Sequence, residues 1–384
     1  MIRREKGRYD YTLLAALCLI IIMGLVILYS TSAYNGEVKF HDAFYYLKKQ
    51  AFATSLGIAC MFFVAGMDYH MWEHVAVLGY VISLLLSLAV MFVGEEYNGS
   101  KRWLSLGPFS FQPSEFAKVA VVLFLAVVIT KNSKNMGKIK TLVIVMLSIL
   151  PIVGLVGASN LSTAIIILGI GVVLVFIASP KYGQFILMGL LGAAFMTVFL
   201  ALESYRLERL EIWRNPEAFE KGYQTIQGLY AIGSGGLFGR GLGQSVQKLG
   251  FVPEAQNDMI FSIVCEELGL VGALTVVLLF TLLVIRGFYI AMRAKDKFGM
   301  LMAIGLTSHI GLQAFFNIAV VSNLIPNTGI SLPFFSYGGT ALILQLAEMG
   351  IVLNISRVRY QSPQRTPAAE RAPQAEVQLQ GGNA

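Results

Sequence analysis

Apolar runs long enough to cross a membrane alternate with short polar punctuation along almost the whole chain. An α-helix rises about 1.5 Å per residue, so about 20 apolar residues span about 30 Å of hydrocarbon. Ten stretches fit, near residues 11–31, 50–66, 74–94, 114–130, 140–157, 161–179, 183–203, 259–286, 299–321 and 335–355. Only the polar "GASNLST" separates the fifth from the sixth, so they read either as two spans or as one broken element whose backbone protein or water must shield. The pattern predicts an all-α polytopic membrane protein of about ten transmembrane helices.

The loops give the orientation. One side carries Arg3, Arg4, Lys6 and Arg8, then Lys131, Lys134, Lys138 and Lys140, then Lys181, then Arg286, Arg293, Lys295 and Lys297, then Arg357, Arg359, Arg365 and Arg371. Short loops on the other side hold only Lys39, Lys48, Lys49, Lys101 and Arg102. The cation-rich side is cytoplasmic. Both termini therefore lie in the cytoplasm, and one large loop, about 204–258, faces outward. Its first part, "SYRLERLEIWRNPEAFEKGYQ", predicts an amphipathic interfacial helix that Pro216 stops or restarts. Its second part packs eight glycines into residues 228–250. They read as a flexible gate or a backbone cradle, and the absence of G-x-x-x-x-G-K-[ST] argues against a nucleotide. Residues 1–360 form one transmembrane domain, and 361–384, rich in Pro, Gln and Ala, read as a disordered cytoplasmic tail.

Composition agrees. With 56% hydrophobic and 13% charged residues and a mean hydropathy of +0.68, the chain departs from soluble domains, which are about 25% charged. The net charge of +7 reflects orientation and attraction to anionic membrane lipids and calls for no nucleic acid. The first span could be a cleavable signal, but its length and the nine spans behind it favour an anchor. Cys18, Cys60 and Cys265 lack paired spacing and read as small hydrophobes.

Ionisable groups within or beside apolar spans are costly, which makes them candidates for function. They are Glu115, Lys118, Asp258, Glu266, Glu267 and Glu348. Glu115 and Lys118, three apart in "FQPSEFAKVAVV", share a helix face and can pair. That pair either pins two helices or does chemistry. Arg102 could meet a phosphate, whereas Trp103 reads as an interfacial anchor. His70 and His74 lack a third ligand and read as a solvated turn; His41 and His309 stand alone. In "GFVPEAQNDMIF", Asp258 reads either as the N-cap of the next helix or as the carboxylate that takes a proton from a hydroxyl nucleophile at the membrane surface. One of Glu266 and Glu267, two turns deeper, could pair across the bundle or cap a polar cavity.

Three long stretches, "RWLSLGPFSFQPSEFAK", "GYQTIQGLYAIGSGGLFGRGLGQSVQKLGFVPEAQNDMIFSIVCEELGLVG" and "LIPNTGISLPFFSYGGTALI", resemble the SEDS family (shape, elongation, division and sporulation) of polytopic peptidoglycan glycosyltransferases. The likeness runs to about Arg359. "GYQTIQ" and "LPFFSYGG" look closer to the division and sporulation branch, FtsW-like, than to the RodA-like elongation branch. "SNLSTA" at 159–164 departs from the family's P-D-L-G-T, with Asn160 and Ser162 standing in.

The resemblance implies polymerisation of lipid II, an undecaprenyl pyrophosphate-linked disaccharide pentapeptide, on the outer face of the bacterial cytoplasmic membrane during cell division. A class B penicillin-binding protein and other divisome proteins are the implied partners. The motif P-E-x-x-x-D maps onto Pro253, Glu254 and Asp258, making Asp258 the expected general base, with or without a divalent cation such as Mg2+. Lys118 and Arg102 would offset pyrophosphate charge, and Glu115 would orient Lys118. Gln112 and Ser336, within the matching motifs, complete the expected substrate-binding set. A lipid II flippase or a divisome scaffold would use the same bundle, but a transporter would more naturally hold its key groups near the midplane.

Overall fold

The computed structural model describes residues 8–97, 100–106, 109–186, 189 and 211–357. Helices α1 (Tyr11–Phe40), α2 (Tyr45–Gly66) and α3 (Met71–Val93) lead into a small antiparallel sheet of β1 (Glu95–Tyr97), β2 (Ser100–Leu106) and β3 (Phe109–Phe111). Then come α4 (Pro113–Lys131), α5 (Ile139–Ser159), α6 (Leu161–Ala178), the shorter α7 (Tyr223–Gly235), α8 (Ile260–Met292), α9 (Lys297–Val321) and α10 (Gly339–Arg357).

Among the described residues nine helices are long and apolar enough to cross a membrane. The stretch expected at 183–203 lies mostly outside the described residues, as do 204–210 and the tail from 361. Residues 139–178 form two helices broken at Asn160, whose side chain caps α6 by accepting from Thr163 N at 3.2 Å. The sheet was not anticipated. In it, β2 pairs with β1 (Glu95 opposite Trp103) and with β3 (Leu104 opposite Phe111).

α2 runs along α10, α8 along α9, α3 along α4 and α5 along α6, while α1 leans on α8. α4, α9 and α10 are the most enclosed, and α3 and α5 turn large apolar side chains outward, as helices bathed in lipid do. At one end, Asp10 caps α1, holds Arg286 Nη2 of α8 at 2.5 Å and donates its N–H to Ser356 Oγ of α10. The sheet, the turn at 250–259 and the α9–α10 connection gather at the opposite end.

That connection is a re-entrant loop. Residues 330–336 are non-helical and largely buried, which at membrane depth requires enclosure by protein. α1 makes room with Gly24, where a Cβ would lie 2.5 Å from Phe334 O. Phe334 itself has φ 63°, a strained conformation for an aromatic residue. It is kept by burial and by its N–H donating to Gln345 Oε1 at 3.2 Å.

Candidate active site

The turn "VPEAQND" precedes α8, with Glu254 at φ 54° and its carbonyl accepting from Asn257 N and Met259 N. Met259, not Asp258, is the N-cap of α8, and no side chain caps that end. The capping role considered for Asp258 is thus not taken up, and its carboxylate points elsewhere. Gln224 Nε2 of α7 donates to Oδ1 at 3.3 Å. Gly329 of the re-entrant loop lies so close that a Cβ there would sit 3.5 Å from Oδ2. Partly exposed but walled by protein, the Asp258 carboxyl has its pKa pushed up to about 7, first by burial and then by the nearby charge of Glu254; Gln224 and Arg102 pull the other way.

Around Asp258 the backbone is fastened by Asn317 and Ser336, and Asn327 braces Gln224. Asn317 Nδ2 of α9 donates to Asp258 O at 2.8 Å and to Ile330 O at 2.6 Å. Asn327 Nδ2 reaches Gln224 Oε1 at 3.1 Å. Ser336 Oγ donates to Asn257 O at 2.5 Å and accepts from Leu332 N at 2.8 Å. Ser336, expected to bind substrate, spends its hydroxyl locking the re-entrant loop to the Asp258 turn.

One turn back along α9 from Asn317, about 6 Å by helix geometry, Gln313 marks a second tier. Lys118 Nζ lies 2.8 Å from Glu115 Oε1 and donates to Gln313 Oε1 at 2.5 Å. Lys118 is 1% exposed. The pairing of Glu115 with Lys118 is as expected, and Gln313 is the partner that spacing along α4 could not reveal. His309, four residues on, continues the line: Nε2 lies 3.0 Å from Gln313 Oε1 and Nδ1 2.8 Å from Glu348 Oε2 of α10. His309 is therefore not isolated. It, Gln313 and Asn317 repeat every four residues in "SHIGLQAFFN", a polar stripe on an apolar helix, and that periodicity was the available signal.

Arg102 projects from β2 and donates Nε to Ser159 O at 3.1 Å. It lines a small cavity with Ser87, Ser114 and Ser159, at the entrance to α4. Gln112 is the N-cap position of α4, without a side-chain capping bond; it sits near this entrance and away from the Lys118 contacts. Asn160, at the aspartate position of P-D-L-G-T, serves as a cap, and Ser162, at the glycine position, donates Oγ to Thr328 O at 2.7 Å. Among the described residues no three His, Cys, Asp or Glu side chains converge as metal ligands.

The glycine-rich segment is docked rather than free as a gate. α8 breaks at Gly269 (φ 64°, ψ −162°), and a broken helix must find new partners for its orphaned backbone groups. The segment supplies them: Arg240 N and Gly241 N donate to Glu266 O and Glu267 O, while Leu270 N and Val271 N donate to Gly236 O and Leu237 O. Gly239 (φ 78°) is needed there, since a Cβ would lie 2.1 Å from Glu267 O. Glu266 accepts from Ser245 Oγ and from Val246 N at 3.1 Å. Glu267 takes Lys248 Nζ and Ser30 Oγ of α1, both at 2.7 Å, which is the pairing across the bundle considered for these residues.

Comparison with known proteins places this architecture. Residues 10–361 match the family model for cell cycle proteins of the FtsW, RodA and SpoVE type. Stage V sporulation protein E of Bacillus subtilis is 40% identical, over 92% of this chain and 98% of that protein. A probable peptidoglycan glycosyltransferase FtsW of Geobacter sp. (strain M18) is 37% identical over the same shares. Among solved structures, a chain from work on structural coordination of polymerization and crosslinking by a peptidoglycan synthase complex superposes with a TM-score of 0.77 at 30% identity, covering 92% of this chain and 99% of that one. Thermus thermophilus RodA gives 0.65 at 29% identity, covering 92% and 98%.

Proposed function

The chain belongs to the FtsW, RodA and SpoVE family of cell cycle proteins, the SEDS family, and from that premise we propose that it polymerises lipid II with Asp258 as the general base. It is a membrane-embedded peptidoglycan glycosyltransferase. The observation that carries the reading is the Asp258 carboxyl, held on a backbone clamped by Asn317 and Ser336, with Gln224 at 3.3 Å and a pKa raised to about 7. A base of that pKa is effective at neutral pH.

The acceptor sugar's hydroxyl gives its proton to Asp258 as its oxygen attacks the donor's anomeric carbon. The bond to the pyrophosphate breaks, and negative charge grows on the leaving group. Lys118 has two of its three N–H groups on Glu115 and Gln313, which leaves one for that charge. Arg102, lining the small cavity at the start of α4, is a second cation. The Lys and Arg distribution supports an outward-facing site at this end of the bundle, where lipid II can enter sideways with its tail in lipid. The likeness to a chain of a peptidoglycan synthase complex supports a crosslinking enzyme, a class B penicillin-binding protein, as partner.

The test is polymerisation of labelled lipid II by the protein reconstituted with that partner. Asp258→Asn is expected to lower turnover by roughly 100- to 10,000-fold, the span of a lost general base, with the fold intact. Undiminished glycan from the variant would sink the assignment.

A further inference from the structure

His309, Gln313, Glu348, Glu115 and Lys118 join α4, α9 and α10 in one chain of hydrogen bonds, and no more than 7% of any of them is exposed. We propose that His309 and Glu348 are positioning residues that set, through the Gln313 amide, the direction in which Lys118 offers its remaining N–H. The inference rests on the reading of Lys118 as the cation that meets the substrate's pyrophosphate.

The orientation of Gln313 is forced. Its Oε1 must face Lys118, because an ammonium has only donors. Its Nε2 accordingly donates to Ser331 O at 3.1 Å and Ser331 Oγ at 3.2 Å. Since Oε1 also receives His309 Nε2 at 3.0 Å, that ring nitrogen carries a hydrogen. One further proton is then shared across the 2.8 Å contact between His309 Nδ1 and Glu348 Oε2. It sits on either atom without changing the hydrogen at Nε2, so the amide stays locked in both states. Without His309 the amide oxygen would keep only Lys118, and the ammonium could follow it as it swings.

Helix adhesion alone accounts poorly for this arrangement. Polar contacts between membrane helices average about 0.6 kcal/mol, and Glu348 Oε1 is buried with no partner among the described residues, a geometry that stability disfavours. Apolar side chains at 309 and 348 would hold α9 against α10 at least as well. The pair makes sense if it is there to hold Gln313.

The experiment measures affinity for a polyprenyl pyrophosphate, the leaving group, in vesicles holding the full-length protein, so that inactive variants still report. Lys118→Met and His309→Leu are each expected to weaken binding about tenfold or more, and the double variant by less than about threefold beyond the weaker-binding single, because contacts in one network are not additive. Glu348→Gln, whose amide can donate to Nδ1 and leave Nε2–H in place, is expected to bind within about threefold of wild type. His309→Gln, which keeps a donor near Gln313, replaces His309→Leu if the latter does not fold, with the same expectation as Glu348→Gln. Losses that multiply in the double variant, or a His309→Leu variant that binds as wild type, overturn the proposal while leaving Lys118 in its role. A Lys118→Met variant with unchanged affinity instead removes the reading of Lys118 on which the proposal rests.

Discussion

Two regions of the bundle bury carboxylates, and they treat them oppositely. At the break in α8, Glu266 and Glu267 have partners for all four carboxylate oxygens, supplied by Ser245, Val246, Gln247, Lys248 and Ser30. Around the stripe on α9 the account stays open: among the described residues Asp258 takes one side-chain bond, at 3.3 Å, and Glu348 Oε1, Asn317 Oδ1 and Asn257 Oδ1 are buried without partners. Closed valences build structure, since a buried charge is tolerable only when paired. Open ones leave bonds that substrate can make.

The largest expected effect tests the closed region. Glu267→Ala leaves the Lys248 ammonium, 6% exposed, without its carboxylate, at a cost of about 3–5 kcal/mol. Thermal unfolding in detergent should show it, and the double variant with Lys248→Met should recover much of the loss. An Asp258→Asn variant that lost as much stability as Glu267→Ala would erase the contrast between the regions.

Gly239→Ala probes the same region through its backbone. The new Cβ meets Glu267 O and strains a φ of 78°, together about 2–4 kcal/mol. The segment should undock from the break in α8, and backbone amide exchange at 236–241 should quicken. If Gly239→Ala leaves that exchange unchanged, the glycines serve motion and not docking.

The open region is tested by pH. With a carboxyl pKa of about 7, turnover should drop about tenfold per pH unit below neutrality as Asp258 becomes protonated. The stability trend runs the other way. The folded-state value lies above the ordinary 3.8, so the native protein holds this proton more tightly than the unfolded chain. That contribution is complete below about pH 4 and is lost as pH rises through about 7. Relative to Asp258→Asn, the wild type should lose stability across that window, and a flat difference would mean an ordinary, solvated carboxylate.

The bundle was legible because hydrophobic length is a strong signal, and the Glu115–Lys118 pair because it is local to one helix. Asp258 was found through a motif. The capping alternative stayed open because a favourable residue type says nothing of where the helix starts; the structure begins α8 at Ile260. The glycine-rich loop stayed open between a gate and a cradle for a similar reason. Glycine permits both motion and close approach, and only the break at Gly269, distant in sequence, decides between them. His309 looked solitary because Glu348 lies 39 residues away on another helix, although the four-residue stripe through Gln313 and Asn317 was there to be read.

The smallest expected effect falls where the two regions differ least, at Ser336. The family pattern suggests a substrate contact, whereas the geometry gives its hydroxyl to Asn257 O and Leu332 N. Ser336→Ala would leave two backbone groups without this partner, at about 1–2 kcal/mol, or a fall of about 2–6 °C in thermal midpoint. Because the same bond holds the turn carrying Asp258, turnover should drop only a few-fold, with KM little changed. A substrate contact would give the reverse, a raised KM at unchanged thermal midpoint. The ratio of those two responses decides whether Ser336 belongs with the closed valences of the fold or with the open ones of the site.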